Sequence, residues 1–127
     1  MKKKSISLIL VIVTMIACCI GLTGCAQDTA FSGSCLGNEN QFLLDFTILN
    51  TTQHNQMYLE KGEQINTTIE ITKGNVDILV KNENGAVAYQ GNDVSTSSFL
   101  IGIKETGTYT FEVTGQKAEG SVHFVKN

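Results

Sequence analysis

Arginine is absent from this 127-residue chain, whose formal charge is −3 at neutral pH. An acidic chain without Arg lacks the clustered positive face that phosphates require, which argues against nucleic acid as a partner. The same deficit argues against lying flat on an anionic membrane. Proline and tryptophan are also absent. With Lys, Asn, Ile and Thr abundant, this is the composition of an AT-rich bacterial genome. No window beyond the first two dozen residues shows a 3.6-residue period, so no amphipathic helix is expected in the body of the chain. No His-x-x-x-His or Gly-x-Ser-x-Gly stands anywhere in the sequence, so the common zinc-hydrolase and serine-hydrolase arrangements have no local signature.

What is present is most informative at the start. Met1-Lys2-Lys3-Lys4 supplies a positive run, and an apolar run from Ile6 to Gly24 follows. A charged n-region, an apolar h-region and small residues at a cleavage point make a secretory signal peptide. The run ends in Leu22-Thr23-Gly24-Cys25, which resembles the lipobox of bacterial lipoproteins. The resemblance implies that Cys25 is diacylglycerylated on sulfur, palmitate being the typical acyl chain. It implies further that the chain is cut between Gly24 and Cys25, and that lipidated Cys25 becomes the N-terminus. Two acyl chains on one glycerol meet the two-signal requirement for stable anchoring. It implies a protein of the cell envelope, anchored on the extracytoplasmic face of a membrane. In a cell with two membranes Ala26, which is not aspartate, directs it to the outer one. Two other readings of the same residues are an uncleaved span, since the run is near the ~20 residues a spanning helix needs, and ordinary cleavage that leaves Cys25 as a free thiol.

Removing residues 1–24 leaves 103, enough for one small domain. Three of nine Lys leave with the leader and all twelve acids stay, so the formal charge becomes −6. Cys18 and Cys19 leave too and Cys25 carries lipid, so Cys35 has no intrachain partner. Cys35 reads as an inert or buried small hydrophobe; pairing between chains is the alternative.

Residues 25–40 are polar and Gly-containing, and read as a flexible tether, with Phe31 and Leu36 as residues that pack back. The folded domain is expected over 41–127. Phe42, Leu44, Phe46 and Ile48 alternate; Met57–Leu59 is a short strand; Ile65, Thr67, Ile69 and Ile71 alternate cleanly. Lys73-Gly74-Asn75 reads as a turn before Val76, Ile78 and Val80. Asn84-Gly85 is a strong turn signal. Asn50–Asn55, Asn92–Ser98 and Gly115–Gly120 read as polar loops. The remaining strands are Ala86–Gln90, Phe99–Ile103, Tyr109–Val113 and Val122–Phe124. Seven or eight short strands punctuated by turns predict an all-β, two-sheet antiparallel sandwich, with a small barrel as the alternative. Phe111 is expected in the core, and Gly107 in a turn with a special backbone conformation.

Asp77–Gly85, a strand ending in an Asn-Gly turn, and Gly107-Thr108-Tyr109-Thr110-Phe111-Glu112-Val113, a Gly-x-Tyr strand opening, together resemble the bacterial pre-peptidase C-terminal domain and the Golgi-dynamics type of jelly roll. The resemblance covers about Met57 to Phe124 and implies a jelly-roll sandwich.

His54 and His123 are isolated and read as solvated surface residues. Asn50-Thr51-Thr52 and Asn66-Thr67-Thr68 match the glycosylation acceptor pattern by chance. Glu60, Glu63, Glu83, Asp93, Glu105 and Glu119 fall in candidate loops without the spacing of a calcium loop. Neither cofactor nor metal is expected, and no catalytic group. The function expected is therefore contact: a non-catalytic module binding a protein or envelope component, or else a lipid-anchored accessory subunit of a transporter or sensor complex. An enzyme is the third reading. Asn92 and Asp93 in one loop, and Gln116, Lys117 and Glu119 in another, are the candidate contact residues.

Overall fold

Period-two alternation resolves into seven strands: β1 (Phe31–Gly37), β2 (Gln41–Leu49), β3 (Thr52–Leu59), β4 (Gln64–Asn82), β5 (Val87–Gly91), β6 (Ser97–Gly102) and β7 (Gly107–Lys126). The computed structural model describes residues 30–127; the leader, the Leu22–Cys25 motif and the first part of the expected tether lie outside the described residues. Every pairing is antiparallel.

Two strands organise the rest. β4 and β7 pair along their whole lengths, from Ile65 opposite Lys126 to Asn82 opposite Tyr109. Their register shifts twice between Ile71 and Asn75, and here the ribbon folds back on itself. On one side of the fold it is flanked by β2 and β6, on the other by β3 and β5. The result is two layers, β1-β2-β7-β4-β6 and β3-β7-β4-β5, sharing their two central strands. Strands that bend from one sheet into the other are a known way to close a sandwich corner, and bulges supply the bend. The fold is an all-β antiparallel sandwich.

Glycine makes the bend possible. Gly74 has φ +71° and Gly120 φ +147°. A Cβ on Gly74 would run into the carbonyls of Gln116 and Lys117, and one on Gly120 into that of Glu70. Both positions thus need an absent side chain as well as a positive φ.

The core fills the space between the halves. Phe42, Leu44, Phe46, Val122 and Phe124 come from the first layer, and Met57, Leu59, Ile78, Val80, Phe111 and Val113 from the second; all are buried. The rings of Phe124 and Phe111 lie 5.0 Å apart, and Phe42 stacks on Phe124 at 6.1 Å. Among the described residues no buried side-chain polar atom lacks a partner. Buried Asn82 accepts from the backbone N–H groups of Asn84 and Ala86, both at 2.9 Å, which forms the expected Asn84-Gly85 turn.

Several expectations are corrected. Residues 31–37, expected in the tether, form β1, because Phe31 packs against the core and the segment pairs with β2 from Leu49 to Phe42. Leu36 is 51% exposed and does not pack back. Lys73-Gly74-Asn75 and Gly115–Gly120 are not loops between strands but the bend inside β4 and β7. β3 begins at Thr52, inside the expected Asn50–Asn55 loop, and Ser97 and Ser98 belong to β6. Ile48 is exposed and Leu49 buried, because the register between β2 and β7 shifts after Phe46 and turns the alternation over. Phe111 is fully buried as expected. Gly107 is not among the residues with positive φ. It is buried, and the one atom an added Cβ would approach is Glu83 Oε1 at 3.2 Å, the end of an exposed side chain. The Gly-x-Tyr opening acts through Tyr109, whose hydroxyl donates to the Glu105 carbonyl at 2.6 Å and pins the β6–β7 connection, as a tyrosine corner does.

Candidate functional site

Among the described residues two non-glycine residues have positive φ, Asp93 and Lys117, each at +50°. Asp tolerates this region, whereas Lys has no local compensation for it. Both lie at the folded corner. The backbone N–H of Lys117 donates to Asn50 Oδ1 at 3.1 Å, and that of Gly115 to the Thr51 carbonyl at 3.0 Å. Asn75, opposite Gln116 in the ribbon, satisfies its amide once its side-chain oxygen and nitrogen are exchanged, the nitrogen then donating to Asp93 Oδ1 at 3.2 Å and to the Gly74 carbonyl at 3.1 Å. The N–H of Asp93 donates to Asp77 Oδ1 at 2.7 Å. Thr72 Oγ1 lies 2.9 Å from Glu119 Oε1.

The structure therefore brings the two expected segments to one place. Asn92 and Asp93 sit on the β5–β6 connection, and Asn75 links them to Gln116 and Lys117 across the ribbon. Gln116, Lys117 and Glu119 are not loop residues, however; they stand in the bent part of β7.

A shallow groove of about 210 Å³ runs from this corner onto the outer face of the second layer. Asp77, Leu79, Gln90, Asn92, Glu112 and Thr114 line it. Cross-strand pairing explains the set: Leu79 stands opposite both Gln90 and Glu112, and Asp77 opposite Thr114. Residues in register on adjacent strands share a face. Two carboxylates, two amides and a hydroxyl around one aliphatic side chain can accept and donate hydrogen bonds to a polar ligand. Alternation against Tyr109, Phe111 and Val113 turns Glu112 and Thr114 outward, but the pairing that gathers them beside Asp77 and Gln90 has no local signal. Asn50 and Asn75 were missed because each acts by hydrogen-bonding a distant backbone or side chain.

A second cleft, about 160 Å³, lies at the opposite end between β5 and β6, with Ala86, Val87, Lys104, Glu105 and Tyr109 in its lining.

The remaining candidates do not converge. Cys35 is exposed on β1, not buried, because β1 is an edge strand with no strand on its far side among the described residues. Burial of part of the thiol nonetheless pushes its pKa up, which disfavours the nucleophilic thiolate. Cys35 is in register with Leu44 and Val122, while His123 occupies the adjacent row, so the two side chains point to opposite faces. His123 Nε2 lies 3.0 Å from Asp45 Oδ1. His54 is on the outer face of β3 opposite Glu112. Among the described residues no group of three His, Cys, Asp or Glu is placed to hold a metal ion, and no helix is long and apolar enough to cross a membrane.

No protein-family model matches the chain, and no curated protein matches it. Among solved structures it is similar to PliG of Aeromonas hydrophila, described as a periplasmic lysozyme inhibitor of g-type lysozyme. That likeness has 12% identity and a TM-score of 0.46, over 71% of this chain and 89% of that one. It is also similar to a cupin domain from Bordetella pertussis, at 9% identity and TM-score 0.37 over 77% and 94% of the two chains. An RmlC-like cupin protein from Desulfovibrio desulfuricans gives 12% and 0.35 over 79% and 84%. Likenesses this slight carry no argument about what the present chain binds.

Proposed function

We propose that the protein is an extracytoplasmic lipoprotein, held to a membrane by lipid on Cys25, whose sandwich domain works by binding and not by turnover. The observation that carries the reading is Leu22-Thr23-Gly24-Cys25 at the end of a charged, apolar leader. The groove of Asp77, Leu79, Gln90, Asn92, Glu112 and Thr114 supports a contact role, being shallow and lined by hydrogen-bonding groups, with His54 beside it opposite Glu112. Its partner is a protein or envelope component with polar groups to match. Cys25→Ser should abolish fatty-acid labelling and accumulate uncleaved precursor; normal labelling and cleavage in that variant refutes the anchor. Gln90→Ala with Glu112→Ala should remove the cellular phenotype of the gene, whereas Cys35→Ala, His54→Ala and His123→Ala should leave it intact. Loss of a hydrolytic or redox activity in any one of those three overturns the non-catalytic reading.

A second reading is favoured by the extent of β1. Because the strand begins at Phe31, the link between Cys25 and the fold is residues 26–30 and not 26–40. A domain held so close to the bilayer suits an accessory subunit of a transporter or sensor complex. Recovery of one stoichiometric membrane protein with the lipidated chain from detergent would decide for it.

A further inference from the structure

We propose that the folded corner of the β4–β7 ribbon is the surface this domain turns toward the headgroup layer of its own membrane, with the opposite end of the sandwich held away. The proposal rests on the lipid-anchored reading of Cys25 and adds the orientation of the domain to it. The chain enters the fold at the corner. The N–H of Asn50 donates to the Ala30 carbonyl at 2.7 Å, and Asn50 Oδ1 in turn accepts from Lys117 at 3.1 Å. Phe31, the next residue, stands opposite Leu49, which also pairs with Ala118 beside the bend.

Two lengths keep the far end off the bilayer. Five Cα–Cα steps separate Cys25 from Ala30, so the link spans at most about 18 Å. From the corner to the far end the body measures eight residue steps of β7, Gly107 to Gly115, or about 26 Å of extended strand. With the far end against the bilayer, Ala30 would stand higher than the link can reach. The corner can meet the headgroups without strain.

Side-chain placement agrees. The exposed residues Leu36, Tyr58, Val87, Leu100 and Val125 all lie within about two residues of the far-end turns or strand ends. Of the large exposed hydrophobics among the described residues only Ile48 is beside the corner. The corner itself offers Asn50, Asn75 and Gln116 together with Lys73, Lys117, Asp93 and Glu119, polar groups of both charges that suit a hydrated, zwitterionic surface. The apolar end, which a membrane would otherwise attract, is the end the link keeps out of reach.

The test uses full-length lipidated protein in phosphatidylcholine vesicles doped with a headgroup-nitroxide lipid, in a Cys35→Ser background. A fluorophore is placed on Gln116→Cys or on Asn84→Cys, and flotation is measured alongside quenching. With the labels about 26 Å apart along the strand axis, quenching at 116 should exceed that at 84 by at least about threefold. Equal or greater quenching at 84 in protein that floats overturns the orientation and leaves the anchor standing. Protein that fails to float overturns the anchor, and the orientation with it. A twenty-residue Gly-Ser spacer inserted after Thr29 should bring the two sites to within about 1.5-fold. A difference that survives the spacer overturns link length as its cause.

Discussion

Phe111 and Phe124 lie 13 positions apart on one strand, β7, yet their rings are 5.0 Å apart. In a straight strand they would be separated by about 43 Å. Their contact is therefore a direct measure of the fold-back, and a double-mutant cycle reads it. Alanine is the wrong probe: each Phe→Ala in a fully buried site costs about 3–5 kcal/mol, and the pair would exhaust a stability of ~5–15 kcal/mol. Leucine keeps most of the volume and removes the ring, at about 1–2 kcal/mol per site. An aromatic pair contributes about 0.5–1.5 kcal/mol beyond area burial. Phe111→Leu with Phe124→Leu should then be less destabilising than the sum of the singles by about that amount. Urea unfolding of residues 30–127 gives the three free energies, with m near 1–1.5 kcal/mol/M for a domain of this size. Distant residues add within about 0.3–0.5 kcal/mol. A coupling inside that band would refute the contact, and with it the bent ribbon.

Gly120→Ala should lower stability by about 2 kcal/mol or more, since the added methyl meets the Glu70 carbonyl and φ is +147°. Gly102→Ala, with open space around it, should change the thermal midpoint by only a few degrees, and equal effects at the two sites would contradict the corner. Glu63 has its pKa lowered, first by the Glu60 backbone N–H and then by Lys126 at 3.3 Å. A depressed carboxylate stabilises the fold above its ordinary pKa and loses that contribution as pH falls through the lowered value. Stability should therefore decline below about pH 4.5, and Glu63→Gln should flatten that decline; an unchanged acid limb in the variant would refute the assignment.

The strand faces were legible in the sequence wherever one strand keeps one register. Ile65, Thr67 and Ile69 are buried and Asn66, Thr68 and Glu70 are exposed, as alternation requires. Legibility ended at the bulges. Gly74 reads as a turn residue and does reverse the chain, but the reversal folds a paired ribbon and leaves the ladder nearly continuous. Only a partner strand more than forty residues away separates those two outcomes. The same blindness hid β1: Ser32-Gly33-Ser34 carries no alternation, and its strand character comes from the β2 edge it meets. For the site, Asn92, Asp93, Gln116 and Lys117 were singled out as polar loop residues, and their meeting at one corner was not foreseeable. It depends on Asn75 and Asn50, whose hydrogen bonds cross long stretches of chain. Asp77 and Glu112 illustrate the limit from the other side. Each is an unremarkable outward carboxylate alone, and only the β4–β7 register makes them walls of one groove.

On the proposed orientation, the height of the groove constrains its partner. Asp77 and Leu79 are two and four residues beyond Asn75 along β4, or about 7 and 13 Å above the corner. The groove opens sideways on the outer face of the second layer, parallel to the bilayer plane. A soluble macromolecule arriving from outside meets the far end first, with Val87, Leu100 and Tyr58 exposed there, and must pass beside the headgroups to reach Glu112 or Gln90. A membrane-resident protein whose extracytoplasmic part rises by a similar height meets the groove by lateral diffusion, with no such detour. Lateral encounter also lets a weak contact suffice, because two chains confined to one surface are at a high effective concentration. A groove of about 210 Å³ falls below the range of about 300–1,000 Å³ of pockets that hold drug-sized ligands. It is adequate for a surface contact that the membrane assists, and it is on this ground that the accessory-subunit reading gains over a free-standing binder.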